Sequence, residues 1–213
     1  MGSQIPKQYL DINGKSVIDH TVDAFLNSPE INHTYVVVSA EDAYVDQFLS
    51  PRAGLSILRC GGASRAETVT NGLHYLLENK LVADKDWTLV HDAARPGLSS
   101  LLIRRLIEQV CDSDIGGLLA LPVVDTVKRV VEGRLQTIPR DGMWLAQTPQ
   151  MFRIAELQSA LLAAGDAVTD EASAMEFIGK APLLVGGSAQ NFKVTYPQDF
   201  ALAQAVLQAR NAP

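Results

Sequence analysis

Several short β-branched or aliphatic runs in this 213-residue sequence are followed by residues able to meet an anion. After residues 55–58 comes Gly61-Gly62-Ala63-Ser64-Arg65, which opens a helical pattern and so offers backbone N–H groups at a helix start to a phosphate. After 87–90 comes His91-Asp92-Ala93-Ala94-Arg95-Pro96, a carboxylate able to hold Mg²⁺ beside two alanines that admit a ligand closely. Pro122-Val123-Val124-Asp125-Thr126 follows 118–121, and a loop leading to Asn191-Phe192-Lys193 follows 182–186. In open α/β sheets, ligands gather beyond the carboxyl ends of the strands, where all of these lie. Lys7, in Pro6-Lys7-Gln8-Tyr9, is a further candidate. Lys or Arg at strand ends with one nearby Asp suits transfer between phosphate groups, where catalysis is mostly positioning and charge stabilisation. There is no Ser-His-Asp or Cys-His set, and the four histidines have no zinc spacing.

Each motif also has a plainer local reading. The glycine loop matches neither a dinucleotide nor a Walker pattern, and glycines between strand and helix often only make the turn. Asp92 can cap its loop, Arg95 can pair with a neighbouring carboxylate, and Lys193 can point outward from an edge strand. Thr169-Asp170-Glu171-Ala172-Ser173 reads as a helix start with Thr169 as N-cap and acids favoured by the dipole.

The elements that would position these residues alternate. Helical patterns open near Ser16 and occupy 41–49, 64–80, 99–111, 153–163 and 170–178, with a last helix from Pro197. Strand patterns lie at 35–38, 55–58, 87–90, 118–122, 182–186 and 192–195. Such alternation predicts an α/β fold with a mostly parallel sheet covered on both faces. Residues 125–140 read instead as a two-stranded ribbon turning at Glu132-Gly133, with little apolar surface of its own; it is expected to pack on a second subunit rather than fold back as a flap. No repeat or linker interrupts 1–213, so one domain with an arm is expected. The chain is 47% hydrophobic, long enough to bury a core without metal or disulfide. Its net charge of −6 argues against nucleic acid as a partner, so an anionic ligand must meet a local concentration of the 18 Lys and Arg. No apolar stretch reaches membrane-spanning length and no signal peptide opens the sequence. Cys60 and Cys111 read as buried free thiols of a cytoplasmic protein.

Six strings occur together in order: Pro6-Lys7-Gln8-Tyr9-Leu10; Gly61-Gly62-x-x-Arg65 with Thr68-Val69; His91-Asp92-Ala93-Ala94-Arg95-Pro96; Pro122-Val123-x-Asp125-Thr126-x-Lys128; Trp144-x-Ala146-Gln147-Thr148-Pro149-Gln150; and Thr169-Asp170-Glu171-Ala172-Ser173-Ala174. In these the sequence closely resembles the 2-C-methyl-D-erythritol 4-phosphate cytidylyltransferase family from its first residues to its last helix. The resemblance implies a Rossmann-like nucleotidyltransferase fold and a transferase of isoprenoid biosynthesis by the non-mevalonate route. Its reaction moves CMP from CTP to methylerythritol phosphate, with Mg²⁺ as cofactor and release of pyrophosphate. Lys7 and Lys193 resemble the catalytic lysines. Gly61, Gly62, Arg65 and Thr68, with Lys7 and Asp92, resemble the nucleotide site, and Asp92 the Mg²⁺ ligand. Arg95, Thr126, Arg140, Thr148, Thr169 and Lys193 resemble the acceptor pocket. The family is a homodimer with crossing arms, which implies that Arg95, Thr126 and Arg140 serve the neighbouring subunit's site.

The sequence departs from the family in two places. Members begin with a strand and a Gly-rich loop ending in Arg-Met before the Pro-Lys-Gln-Tyr string; here Met1 stands where that Met would be. The sequence is therefore expected to be truncated, without the first, interior strand and the Gly-rich loop, whose absence would leave two neighbouring strands with unpaired edges. Pro139 also precedes Arg140 where the family usually has Asp. Transfer to another polyol phosphate, such as ribitol 5-phosphate, and a non-catalytic dimeric homologue are the alternative readings.

Overall fold

Strands form where β-branched residues run together, and most helices begin on a side chain that accepts one of their orphan N–H groups. The computed structural model describes residues 5–211, so the expectation resting on Met1 lies outside the described residues. A 3-10 turn at Lys7–Tyr9 leads into a small antiparallel pair, β1 (Asp11–Ile12) and β2 (Lys15–Ser16). Ser16 accepts from Asp19 N–H at 3.2 Å and starts α1 (Val17–Leu26). There follow β3 (Thr34–Ser39), α2 (Val45–Phe48), β4 (Leu55–Gly61) and α3 (Arg65–Glu78), the last capped by Ser64. Next come β5 (Trp87–Val90), α4 (Ser100–Val110) capped by Ser99, and β6 (Gly117–Pro122). The ribbon is β7 (Val127–Val131) and β8 (Arg134–Ile138), followed by β9 (Trp144–Arg153) and α5 (Ile154–Ala164). The chain then forms α6 (Glu171–Phe177), β10 (Leu183–Gly186) and α7 (Gln198–Asn211).

The central sheet has the order β10-β6-β9-β5, and β3-β4 is a separate parallel pair. The expectation of a mostly parallel sheet needs correction. Only β10 runs parallel to its neighbour β6, whereas β9 is antiparallel to both β6 and β5. The cause is local: β6 returns to β9 through the ribbon rather than a crossover helix, and a hairpin-type return reverses direction. Adjacent residues of β9 face opposite layers. Met151 packs with Ile103, Leu106, Leu119 and Val185 under α4, and Phe152 packs with Leu73, Leu157 and Met175 under α3, α5 and α6. Both faces of the sheet are thus covered by helices.

Other expectations shift as well. The helix placed at 41–49 is only Val45–Phe48, because Asp42 caps it by accepting from Tyr44 and Val45 N–H. Residues 192–195 form no strand; Val194 makes one backbone bond, N–H to the Ala94 carbonyl at 2.8 Å. The N-cap of α6 is Asp170, not Thr169: Asp170 accepts from Ser173 N–H while Ser173 Oγ accepts from Asp170 N–H. Both cysteines are free, but neither is fully buried, and Cys111 is exposed at the end of α4.

The ribbon turns at Glu132-Gly133 with φ of 49° and 76°, the two positive values a tight two-residue hairpin requires. Val130 and Leu135 pair across it at 65% and 66% exposure. A second feature is a cavity of about 1020 Å³ between β3 and β5, lined by residues 34–38 and 87–90.

Candidate active site

Asp92, two residues beyond β5, organises the site. Its N–H donates to Thr148 Oγ1 at 3.1 Å, and its carboxylate Oδ1 accepts from Arg65 Nε at 2.8 Å. Oδ2 accepts from Lys193 Nζ at 3.1 Å and lies 3.4 Å from Arg95 Nε. Three cations from separate parts of the sequence therefore converge on one largely buried carboxylate. Burial opposes ionisation of Asp92, but Arg65 and Lys193 prevail and hold its carboxyl well below the usual range.

Arg65 is the first residue of α3, and the far side of its guanidinium is bidentate to Glu171 at 2.8 and 3.0 Å. Glu171 opens α6 and is fully buried. Burial pushes its carboxyl up and Arg65 pulls against that, so the pair holds only while both partners remain. Arg95 donates to the Asn191 carbonyl at 2.8 Å, and Asn191 in turn donates to the Thr148 carbonyl at 2.7 Å. Lys7 lies in the same region without touching Asp92. Its Nζ donates to the Val194 carbonyl at 3.0 Å, fixing the N-terminal turn to the segment that carries Lys193.

A buried relay supports Asp92. His91 Nε2–H faces the Arg95 carbonyl at 3.3 Å, so Nδ1 is free to accept from Thr148 Oγ1 at 2.9 Å, and Thr148 accepts from Asp92 N–H. Burial drives the His91 pKa down to about 4, which keeps the ring neutral.

These groups line a smaller cavity of about 210 Å³, among them Arg65, Arg95, Thr148, Thr169 and Lys193. Of the charged groups that line it, Arg65, Arg95 and Lys193 are cations and Asp92 and Asp170 are acids, while Glu171 lies behind Arg65 outside the lining. The pocket therefore suits a phosphate with a small polar tail. Gly62 N–H donates to Thr68 Oγ1 at 3.0 Å, which shapes the loop ahead of Arg65. Gly61 has a packing reason of its own, because a Cβ there would lie 2.8 Å from the Val38 carbonyl carbon. Thr126 and Arg140 line neither cavity; Arg140 donates to the Val124 carbonyl at the base of the ribbon.

Sequence reading missed Glu171, Asn191 and Gln147. All three are buried, and Gln147 bridges to the Ser188 carbonyl at 2.9 Å. Glu171 stood in a recognised string but read as a dipole acid; what distinguishes it is burial against Arg65, which local sequence does not encode.

Among the described residues no group of three or more His, Cys, Asp or Glu is placed to hold a metal ion. One carboxylate with most of its lone pairs already engaged fits an ion that arrives on substrate phosphates, since Mg²⁺ commonly uses one or two carboxylates plus phosphate oxygens.

Residues 1–209 match the family model for 2-C-methyl-D-erythritol 4-phosphate cytidylyltransferase. The chain is 51% identical to the enzyme of that name from Chromobacterium violaceum, covering 99% of this chain and 93% of the relative. It is 49% identical to that of Nitrosomonas eutropha, covering 99% and 92%. A crystal structure of a 4-diphosphocytidyl-2C-methyl-D-erythritol synthase superposes with a TM-score of 0.89 at 45% identity, covering 95% of each chain. The Francisella tularensis enzyme gives a TM-score of 0.83 at 34% identity, covering 95% of this chain and 93% of that one. With identity and fold agreeing over nearly its full length, the chain belongs to the 2-C-methyl-D-erythritol 4-phosphate cytidylyltransferase family.

Proposed function

We propose that the cluster around Asp92 performs its family's reaction, moving the cytidylyl group of CTP onto 2-C-methyl-D-erythritol 4-phosphate in isoprenoid biosynthesis. The observation that carries this is the convergence of Arg65, Arg95 and Lys193 on the Asp92 carboxylate at the wall of a pocket sized for a polyol phosphate. An acceptor phosphate has a second pKa near ~6, so its attacking oxygen is already anionic at neutral pH and needs no general base. That oxygen forms a new bond to the α-phosphorus, the bond from phosphorus to the bridging oxygen breaks, and pyrophosphate leaves with the electron pair.

The chain's own residues supply position and charge. Arg95, Thr148 and Thr169 hold the acceptor, and Lys193 lies between acceptor and nucleotide. Lys7 meets the triphosphate from the other side, and Gly61, Gly62, Arg65 and Thr68 form the nucleotide wall. Asp92 holds the cations at fixed positions and is the residue that would hold a Mg²⁺ ion, which would supply further charge neutralisation at the phosphates. Residues 1–213 act as one nucleotidyltransferase domain, working in the cytoplasm; no described helix is long and apolar enough to cross a membrane.

The protein works as a homodimer through the ribbon. The exposed Val130, Leu135 and Leu145 support this reading, as does the position of Thr126 and Arg140 outside the pocket of their own chain. In a dimer Thr126 and Arg140 would complete the neighbour's acceptor site, while Arg95 lines the pocket of its own chain instead of joining them there. Pyrophosphate release from CTP and Mg²⁺, with methylerythritol phosphate and ribitol 5-phosphate as separate acceptors, tests the proposal. Release with the first alone is expected. Release with the second alone would reassign the acceptor, and silence with both from a folded dimer would leave the non-catalytic reading.

A further inference from the structure

Gln150 of β9 is only 1% exposed, and both ends of its amide are engaged by the start of α6. Oε1 accepts from Ala172 N–H at 2.7 Å. Nε2 donates to Asp170 Oδ2 at 2.8 Å and reaches the Gln147 carbonyl at 3.5 Å. These partners fix the orientation of the amide, because a backbone N–H needs an oxygen and a carboxylate can only accept. Gln150 and Phe152 occupy alternate positions of β9 and so point to one layer, where Phe152 packs with Met175 of α6. Apolar packing thus holds the body of α6 on the sheet, while one buried amide fixes the depth and rotation of its first turn.

That first turn joins the two halves of the site. Thr169 lines the small cavity, Asp170 caps α6, and Glu171 grips Arg65 on the nucleotide side. Three consecutive residues therefore face the acceptor pocket, the strand and the nucleotide wall. The cap between Asp170 and Ser173 closes within α6 itself, so it does not set where the helix start sits on the sheet. The bonds from Gln150 do. The same strand supplies Thr148, whose Oγ1 accepts from Asp92 N–H. Any slip of the α6 start along β9 would move Thr169 and Glu171 together relative to Asp92. A displacement of about 1 Å in groups that position substrates costs up to about 10²-fold.

We propose that Gln150 is a positioning residue for both substrates at once. Through the start of α6 it sets Thr169 against the acceptor and, through Glu171, Arg65 against the nucleotide. The inference rests on the assignment of those two walls in the reaction proposed above. With both ends of its amide taken by the chain, Gln150 acts on binding geometry and not on the chemical step.

Gln150→Met keeps the length and volume of the side chain and removes both bonds to α6. Asp170→Ser keeps an oxygen to cap α6 and removes the link to Nε2 of Gln150, so it carries the same test if the first variant does not fold. In either variant KM for CTP and KM for methylerythritol phosphate are both expected to rise about tenfold, with kcat within about threefold of the parent. Calorimetric titration of each ligand should show the same weakening without turnover. Adding Glu171→Gln to Gln150→Met should raise KM for CTP little beyond the larger single effect, because both act through Arg65. A lower Tm with both KM values unchanged would overturn the proposal, as would a rise for one substrate alone. A parent protein that binds both ligands without turnover would defeat the assigned reaction and leave the titrations to decide this inference; a parent that binds neither would overturn both.

Discussion

A single carboxylate holding three cations makes Asp92 the most sensitive position. Asp92→Asn keeps the shape but leaves Arg65, Arg95 and Lys193 facing one another without their shared counter-charge. Turnover is expected to fall by roughly 10²–10³, with the cations displaced, as measured by pyrophosphate release and by a crystal structure of the variant. Lys7→Ala and Lys193→Ala should each retain the fold and lose turnover by about the same factor; near-normal rates in either would remove its assigned role. Glu171→Gln weakens the bidentate hold on Arg65 without touching the pocket. It is expected to raise KM for CTP more than it lowers kcat, whereas a change in Tm alone would make Glu171 merely structural. Asp92 follows an apolar run in the sequence, whereas Lys7 and Lys193 took their expected roles from the family resemblance, their local sequence leaving each free to point outward. Glu171 did not stand out, since an acid in a first helical turn is ordinary and only its burial against α3 makes it unusual.

Loops set the spacing between elements, and two of them are testable. Gly97 lies where an added Cβ would strike the Gln190 carbonyl oxygen, backbone against side chain with no flexible group to yield. Gly97→Ala should displace the loop that carries Lys193, costing roughly 1–3 kcal/mol of stability and lowering turnover. Urea unfolding and the pyrophosphate assay read the two effects. The ribbon is the second case. Replacing Val130 and Leu135 together by Asp leaves the monomer's core untouched, because both side chains are exposed. The expected result is loss of the dimer in sedimentation, with activity falling alongside; an intact dimer would place the subunit contact elsewhere. Element types were largely legible from hydrophobic period and caps, with Ser16, Ser64 and Ser99 opening α1, α3 and α4 as expected. The failures have local causes. Residues 192–195 alternate like a strand but meet only one backbone partner, and Asp170 outcompetes Thr169 as cap because Ser173 returns its bond.

At the scale of the molecule, stability and charge depend on pH and salt. His91 has a folded pKa of about 4, below its ordinary value of 6.5. The unfolded chain therefore takes up a proton over that interval while the folded chain does not. Stability is fully present above about pH 6.5 and falls as pH drops toward 4, by up to roughly 3 kcal/mol. Urea unfolding at pH 7.5, 6, 5 and 4 should show this slope, and His91→Gln should flatten it even if its overall stability is lower. The net charge of −6 makes the bulk of the surface repel CTP, whereas the excess cation at the pocket attracts it locally. Raising ionic strength screens both fields. Because the pocket's charges lie closest to the nucleotide, kcat/KM for CTP is expected to fall with salt.

By itself the sequence determined most element types, because periodicity and capping are local properties that survive in a one-dimensional reading, while its six motif strings carried the resemblance that pointed to the family and named the candidate charged groups. The direction of β9, the burial of Glu171 and the neutral His91 relay were decided only in the tertiary structure. Each depends on which distant segments come to lie side by side. Spacing along the chain does not specify that adjacency; it is set when the hydrophobic faces of helices and strands pack into a common core.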